Sequence, residues 1–177
     1  MYVETRELLK TSNGNYILRC LLPNDVGQNY LGWFLEDKTK RFISFSREEL
    51  VIDDLESYVI DNLSSPSSLL LGIFRVSDGN HVGNVKFEQI FIESQSAIMG
   101  ILIGDTASRG VGLAETAIER GAIMIKKLFG FDRFVVRLGV DFNNDSAIRA
   151  YLKAGFKRCD DHVFKSSKDG FFMERTY

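Results

Sequence analysis

The sequence predicts an α+β fold of mixed α/β character: a central, mostly antiparallel sheet with one parallel pair, flanked by helices. Three observations point there. Short apolar runs separated by turn residues crowd residues 69–103. After Gly112 the apolar spacing changes to fours and threes. Beyond residue 130, strand-like and helix-like segments alternate, as a parallel pair requires.

The elements follow in order. Asn13-Gly14-Asn15 is a turn, and residues 16–22 have the apolar content of a strand. Pro23-Asn24-Asp25 breaks it, and residues 26–35 start a short helix or ordered loop. Ser46-Arg47-Glu48-Glu49 has capping-box spacing before a helix over 50–63, ended by Ser64-Ser65-Pro66. Strands are expected at 69–76, 81–92 and 97–103, joined by turns at 77–80 and 93–95. Ala114, Ile118, Gly121, Ile125 and Leu128 lie on one face of a helix that Gly130 ends. A β-branched strand over 134–140 and a helix over 144–154 follow, with Gly155 as the helix's cap. A final β pair is placed around 156–164 and 171–177.

Composition narrows the function. The 177 residues suit one domain with a substantial core, at 45% hydrophobic and 26% charged. A formal net charge of −2 gives no broad attraction to nucleic acid or to a membrane surface. Cys20 and Cys159 lack metal-ligand spacing, so neither a metal site nor a structural disulfide is expected. The first residues carry acids rather than a basic start and an apolar run, which argues against a secretory leader. No apolar stretch has the length of a membrane span, and a cytoplasmic location is the expectation.

The most informative segment runs Ile101-Leu102-Ile103-Gly104-Asp105-Thr106-Ala107-Ser108-Arg109-Gly110-Val111-Gly112-Leu113-Ala114. A strand passes through a glycine-containing loop into a long helix. Such a loop lets the backbone approach a ligand, and the first helical amides with their dipole form a seat for a diphosphate. Arg109 adds a cation. Tight helix packing alone also explains glycines there. Gly-Lys-Ser/Thr is absent, and Glu115 stands where a dinucleotide fingerprint needs its third glycine.

A second constellation, Asn144-Asp145-Ser146-Ala147-Ile148-Arg149-Ala150-Tyr151-Leu152-Lys153-Ala154-Gly155-Phe156, follows about thirty residues later. A capped helix accounts for much of it, with Asn144 as N-cap and Tyr151 as core.

Together the two segments resemble the GNAT superfamily of N-acetyltransferases. Arg109, Gly112 and Ala114 fill its loop pattern Arg/Gln-x-x-Gly-x-Gly/Ala, and the second segment fits Asn-x-x-Ser/Ala-x-x-x-Tyr-x-x-x-Gly-Phe. Val111 departs from the pattern, since many relatives carry a cation there. Gly83-Asn84-Val85-Lys86 and Gly100-Ile101-Leu102-Ile103-Gly104-Asp105 are similar to the RimJ/RimL-like branch, which includes ribosomal-protein and nucleotide-sugar acetyltransferases.

The resemblance implies one acetyltransferase domain over 1–177 that uses acetyl-coenzyme A as co-substrate and no metal. Pantetheine would pair with the backbone near Leu102, Ile103 and Gly104, and the diphosphate would rest on Arg109, Gly110, Val111, Gly112, Leu113 and Ala114. Asn144 would contact the pantetheine arm or order the helix start. An amine would attack the thioester directly, and Tyr151 would protonate the leaving thiolate. Glu88 is the candidate base, with a solvated strand carboxylate as its ordinary reading. His81 and His162, beside turns, are expected at the surface.

At pH 7 a lysine-like amine costs about 4.6 kcal/mol to neutralise and an α-amine about 1.4 kcal/mol. The sparse set of bases therefore favours an amino sugar or a peptide N-terminus. Tyr30, Trp33, Phe34, Phe42 and Phe45 are expected as core or acceptor wall, and Glu36, Asp37, Asp53 and Asp54 as an acidic groove for a protein N-terminus. The partner is then a small-molecule amine or a protein N-terminus, with no nucleic acid or membrane, and the chain a monomer or homodimer. The alternative class is a non-catalytic acyl-coenzyme A sensor.

Overall fold

The computed structural model describes residues 1–4, 6–35, 50–159 and 170–177. In chain order these form β1 (Arg6–Thr11), β2 (Gly14–Cys20), α1 (Gln28–Leu35), α2 (Ile52–Ser64), β3 (Leu69–Arg75), β4 (His81–Phe91), β5 (Ser96–Ile103), α3 (Leu113–Phe129), β6 (Val135–Asp141), α4 (Asp145–Lys153), β7 (Lys157–Cys159) and β8 (Gly170–Thr176). Short 3-10 turns at Pro23–Asp25 and Thr106–Ser108 interrupt the links. Eight strands make one sheet in the order β1-β2-β3-β4-β5-β6-β8-β7. Every described neighbouring pair is antiparallel except β5 with β6. The expected architecture and its parallel pair are both present.

Strand β1 is an addition to the sequence reading. Only Leu9 among its six residues is buried, so its apolar signal is thin, and pairing with β2 holds it at the sheet edge. The capping box at Ser46–Glu49 lies outside the described residues. Helix α2 instead begins where the Val51 amide donates to the Asp54 carboxylate at 3.2 Å.

The two faces of the sheet carry different layers. On one, α3 packs Leu113, Ala117, Ile118, Ala122 and Ile125 against β-strand residues such as Leu71, Val85, Phe87, Met99, Val136 and Leu138. Gly121 lets this helix come close, because an added Cβ would stand 2.6 Å from the Phe87 ring. Helix α3 ends as its sequence predicts: Gly130 takes φ 65°, and the Phe131 amide turns back to the Lys126 carbonyl at 3.0 Å. On the other face, α1 and α2 pack Tyr30, Trp33, Leu55 and Val59 against Leu70 and Phe74. Trp33 and Tyr30 are core residues, whereas Phe42, Phe45, Glu36 and Asp37 lie outside the described residues.

Candidate active site

The parallel pair is short. Ser96, Ala97 and Ile98 oppose Val135, Val136 and Arg137, and there the register ends. Beyond that point β5 runs on to Ile103 and β6 to Asp141 without further pairing to each other, so the sheet forks. The pleat fixes which backbone groups line the fork. Gly104 donates its amide to Val82 of β4 at 3.0 Å, so Leu102, two residues earlier, also faces β4. Met99, Ile101 and Ile103 turn theirs the other way. The Gln95 carbonyl, in phase with them, accepts from the Val135 amide of β6 at 2.8 Å. Of the three residues expected to meet pantetheine, Ile103 alone therefore aims its backbone into the fork. Leu102 packs with the Tyr30 and Trp33 cluster.

The loop leaving β5 is tied down at both ends. Arg109 folds back, donating from Nε to the Ile103 carbonyl at 2.8 Å and from Nη2 to the Gly104 carbonyl at 2.9 Å. Buried Ser108 donates to the Asp105 carboxylate at 2.7 Å and accepts from Tyr16 at 3.3 Å. Arg75 donates to Asp105, Ser108 and Asp78, joining the β3–β4 turn to the same loop.

Gly110 and Gly112 then adopt φ of 76° and 79°, the left-handed region that glycine enters without strain. Val111 and Leu113 turn inward against the core. The first bond of α3 runs from the Thr116 amide to the Gly112 carbonyl at 3.1 Å. The amides of Leu113, Ala114 and Glu115 precede it, and no side chain caps this helix. A 17-residue helix with no side-chain cap among the described residues thus points the positive end of its dipole at a turn of two left-handed glycines, where an anion is favoured.

Asn144 is the N-cap of α4, its Oδ1 accepting the Ala147 amide at 3.1 Å. Tyr151 comes from the same helix and joins the core cluster that holds Leu113. Its ring lies 5.9 Å from Phe156, and Gly155 at φ 81° makes the reversal between them. Burial pushes the Tyr151 phenol up to about 12. Glu88 stands apart. Lys86 holds its carboxylate at 2.6 Å, the side chain is 44% exposed, and it opposes Ile98 at the base of the fork.

His81 is not at the surface. Its ring packs between Tyr30, Trp33 and Phe74 at centroid distances of 5.2, 4.8 and 5.0 Å. Nε2 sits 3.0 Å from the Gly83 carbonyl and 2.7 Å from Asn84 Oδ1, which fixes the proton on that nitrogen, while Nδ1 is buried with no partner among the described residues. Proximity to a turn suggested exposure; α1, folding over the hairpin, removes it. His81 also lines a pocket of about 390 Å³ with Trp33, Arg75, Gly104 and Asp105. His162 lies outside the described residues. Among the described residues no group of His, Cys, Asp or Glu could hold a metal ion, and no helix is long and apolar enough to cross a membrane.

No protein-family model and no curated protein matches the chain. Solved structures do. RimJ of Mycobacterium smegmatis, in complex with CoA-disulfide, superposes with TM-score 0.76 at 15% identity, covering 97% of this chain and 86% of that one. The spermidine/spermine N-acetyltransferase SpeG of Vibrio cholerae, in complex with manganese ions, gives 0.65 at 19% identity over 91% and 92% of the two chains. An acetyltransferase of the GNAT family from Streptococcus pneumoniae gives 0.65 at 18% identity over 92% and 99%. The forked sheet, with its uncapped helix behind a glycine turn, is the fold of the GNAT N-acetyltransferases.

Proposed function

We propose that this chain is a single-domain N-acetyltransferase, residues 1–177, that moves the acetyl group of acetyl-coenzyme A to a primary amine by direct attack. One observation carries the reading. The β5–β6 fork opens beside an α3 start whose amides, behind Gly110 and Gly112, have neither helical acceptor nor side-chain cap. A thioester arm in the fork and a diphosphate on that helix would use both features at once.

The geometry supports the following roles. Ile101 and Ile103 supply fork-facing backbone groups to the pantetheine arm, and Leu102 and Gly104 shape the strand by pairing with β4. Gly110, Val111, Gly112, Leu113 and Ala114 bind the diphosphate. Arg109, engaged with two strand carbonyls, holds the loop in shape and adds positive potential. Asn144 orders the start of α4 and so sets the height of Tyr151.

In the reaction the amine nitrogen bonds to the thioester carbonyl carbon, the C–S bond breaks, and the thiolate leaves. With its proton held up to about 12, Tyr151 remains a donor at neutral pH. Complete transfer to a thiolate of pKa about 8.5 would be uphill by roughly 5 kcal/mol. Its contribution is a hydrogen bond that strengthens as negative charge builds on sulfur. Glu88 acts as base only by giving up Lys86. That cost favours an acceptor of low pKa, an amino sugar or a peptide N-terminus. The chain works without a metal, on a small amine or protein N-terminus, as a monomer or homodimer in the cytoplasm.

Thiol release from acetyl-coenzyme A in the presence of amino-sugar nucleotides, peptides with free N-termini and polyamines tests the proposal. Amine-dependent release supports it. Coenzyme A binding without release from any amine leaves only the sensor reading, and no binding by calorimetry removes both.

A further inference from the structure

Glycine inside a strand weakens the strand unless something needs the space. Some glycines in or beside the strands answer to a neighbour: an added Cβ on Gly72, Gly83 or Gly104 would fall less than 3 Å from another group. Gly100 and Gly139 do not. A Cβ on Gly100 meets no described atom within 4 Å, and one on Gly139 meets the Phe172 ring at an ordinary 3.5 Å. Neither has a positive φ. Both are exposed.

Their positions correspond. Ile98 and Arg137 are the last paired residues of β5 and β6, and each glycine stands two residues past its own member of that pair. A step of two keeps both on the face that Ile98 and Arg137 share. This is the face of α1 and α2. Gly100 opposes Lys86, whose Nζ lies 5.0 Å from the Tyr58 ring centroid of α2. The neighbouring residues Met99, Leu138 and Val140 belong instead to the α3-side core. Among the described residues the fork is thus bare on one face at matched points of its two arms. Around it stand Phe172, the Lys86–Glu88 pair and the Arg137–Glu174 pair.

Resting on the acetyltransfer reading, we infer that Gly100 and Gly139 form the acceptor's seat, leaving room for substituents on the carbon that bears the reacting nitrogen. The acceptor class is then a branched primary amine, such as a peptide N-terminus or an amino sugar, rather than an amine on an unbranched methylene chain. The amine reaches the thioester from the α1–α2 face, and Phe172 borders the substituent.

Gly100→Ala and Gly139→Ala test this, with acetyl-coenzyme A and two acceptors, alanyl peptides and 1,4-diaminobutane. Both variants keep or raise the thermal midpoint and keep coenzyme A affinity by calorimetry. The expected change is a rise of about tenfold or more in KM for the alanyl peptide, the scale of one methyl in a filled pocket, with less than about twofold for the diamine. Equal effects on the two acceptors, no effect, or a parent chain that prefers the diamine overturn the seat while leaving acetyl transfer standing. A parent chain that releases no thiol with any amine counts against acetyl transfer, and the seat falls with it.

Discussion

The indole of Trp33 occupies the space into which a Cβ on Gly104 would project. Helix α1 is thereby keyed to the end of β5, where the loop toward α3 begins. Gly104→Ala forces the indole or the strand to move, and overpacking of this kind costs about 1–3 kcal/mol. The urea midpoint should fall accordingly, with the slope unchanged. A shift below about 0.5 kcal/mol would mean that Trp33 yields without resistance.

Asn144→Ala removes the one side-chain cap of α4. The stability loss should be about 1 kcal/mol, the ordinary value of such a cap. If Asn144 also holds coenzyme through its amide, Asn144→Ser loses coenzyme affinity as Asn144→Ala does, although its capping oxygen keeps most of the stability. Parallel calorimetry on the two variants separates the roles.

Tyr151→Phe keeps the ring against Phe156 and deletes the hydroxyl. Turnover should drop by about a hundredfold or more, while acetyl-coenzyme A affinity changes by less than about threefold. Undiminished turnover would take the phenol out of the mechanism.

The buried imidazole of His81 gives a pH dependence with a definite sign. Burial is the first cause holding His81 below its ordinary value of 6.5, and a second proton would sit on an Nδ1 that has no acceptor among the described residues. The unfolded chain therefore takes up a proton first as pH falls below about 6.5. Stability then declines with acidification until the folded-state pKa is reached, and is flat above the unfolded value. Urea denaturation between pH 7.5 and 5 should show this decline, and His81→Gln should flatten it. An identical acid limb in that variant would assign the decline to other groups.

Much of this fold was legible because its signals are local. Gly112 and Gly130 bracket α3, Asn144 and Gly155 bracket α4, and the turns before β4 and β5 carry their usual residues. The strand-loop-helix over residues 101–114 and Tyr151 were likewise readable as motifs. What the sequence concealed depends on distant partners. Strand β1 is defined by β2 rather than by its own composition, and His81 is covered by a helix some fifty residues earlier. Arg109, read as a phosphate cation, spends its donors on Ile103 and Gly104, a choice set by loop closure. The end of pairing at Ile98 and Arg137 has no signature in either strand alone.

The seam between β5 and β6 joins the two halves of the sheet by three opposed residue pairs, against seven for the β4–β5 ladder and seven for β6–β8. Within the sheet, two broad ladders therefore meet along a narrow weld, which α3 covers on one face. Amide exchange should be faster at that weld than in the central ladders on either side. A molecule wedged into the opening would brace both ladders together, so occupancy would register as slowed exchange well away from anything it touches.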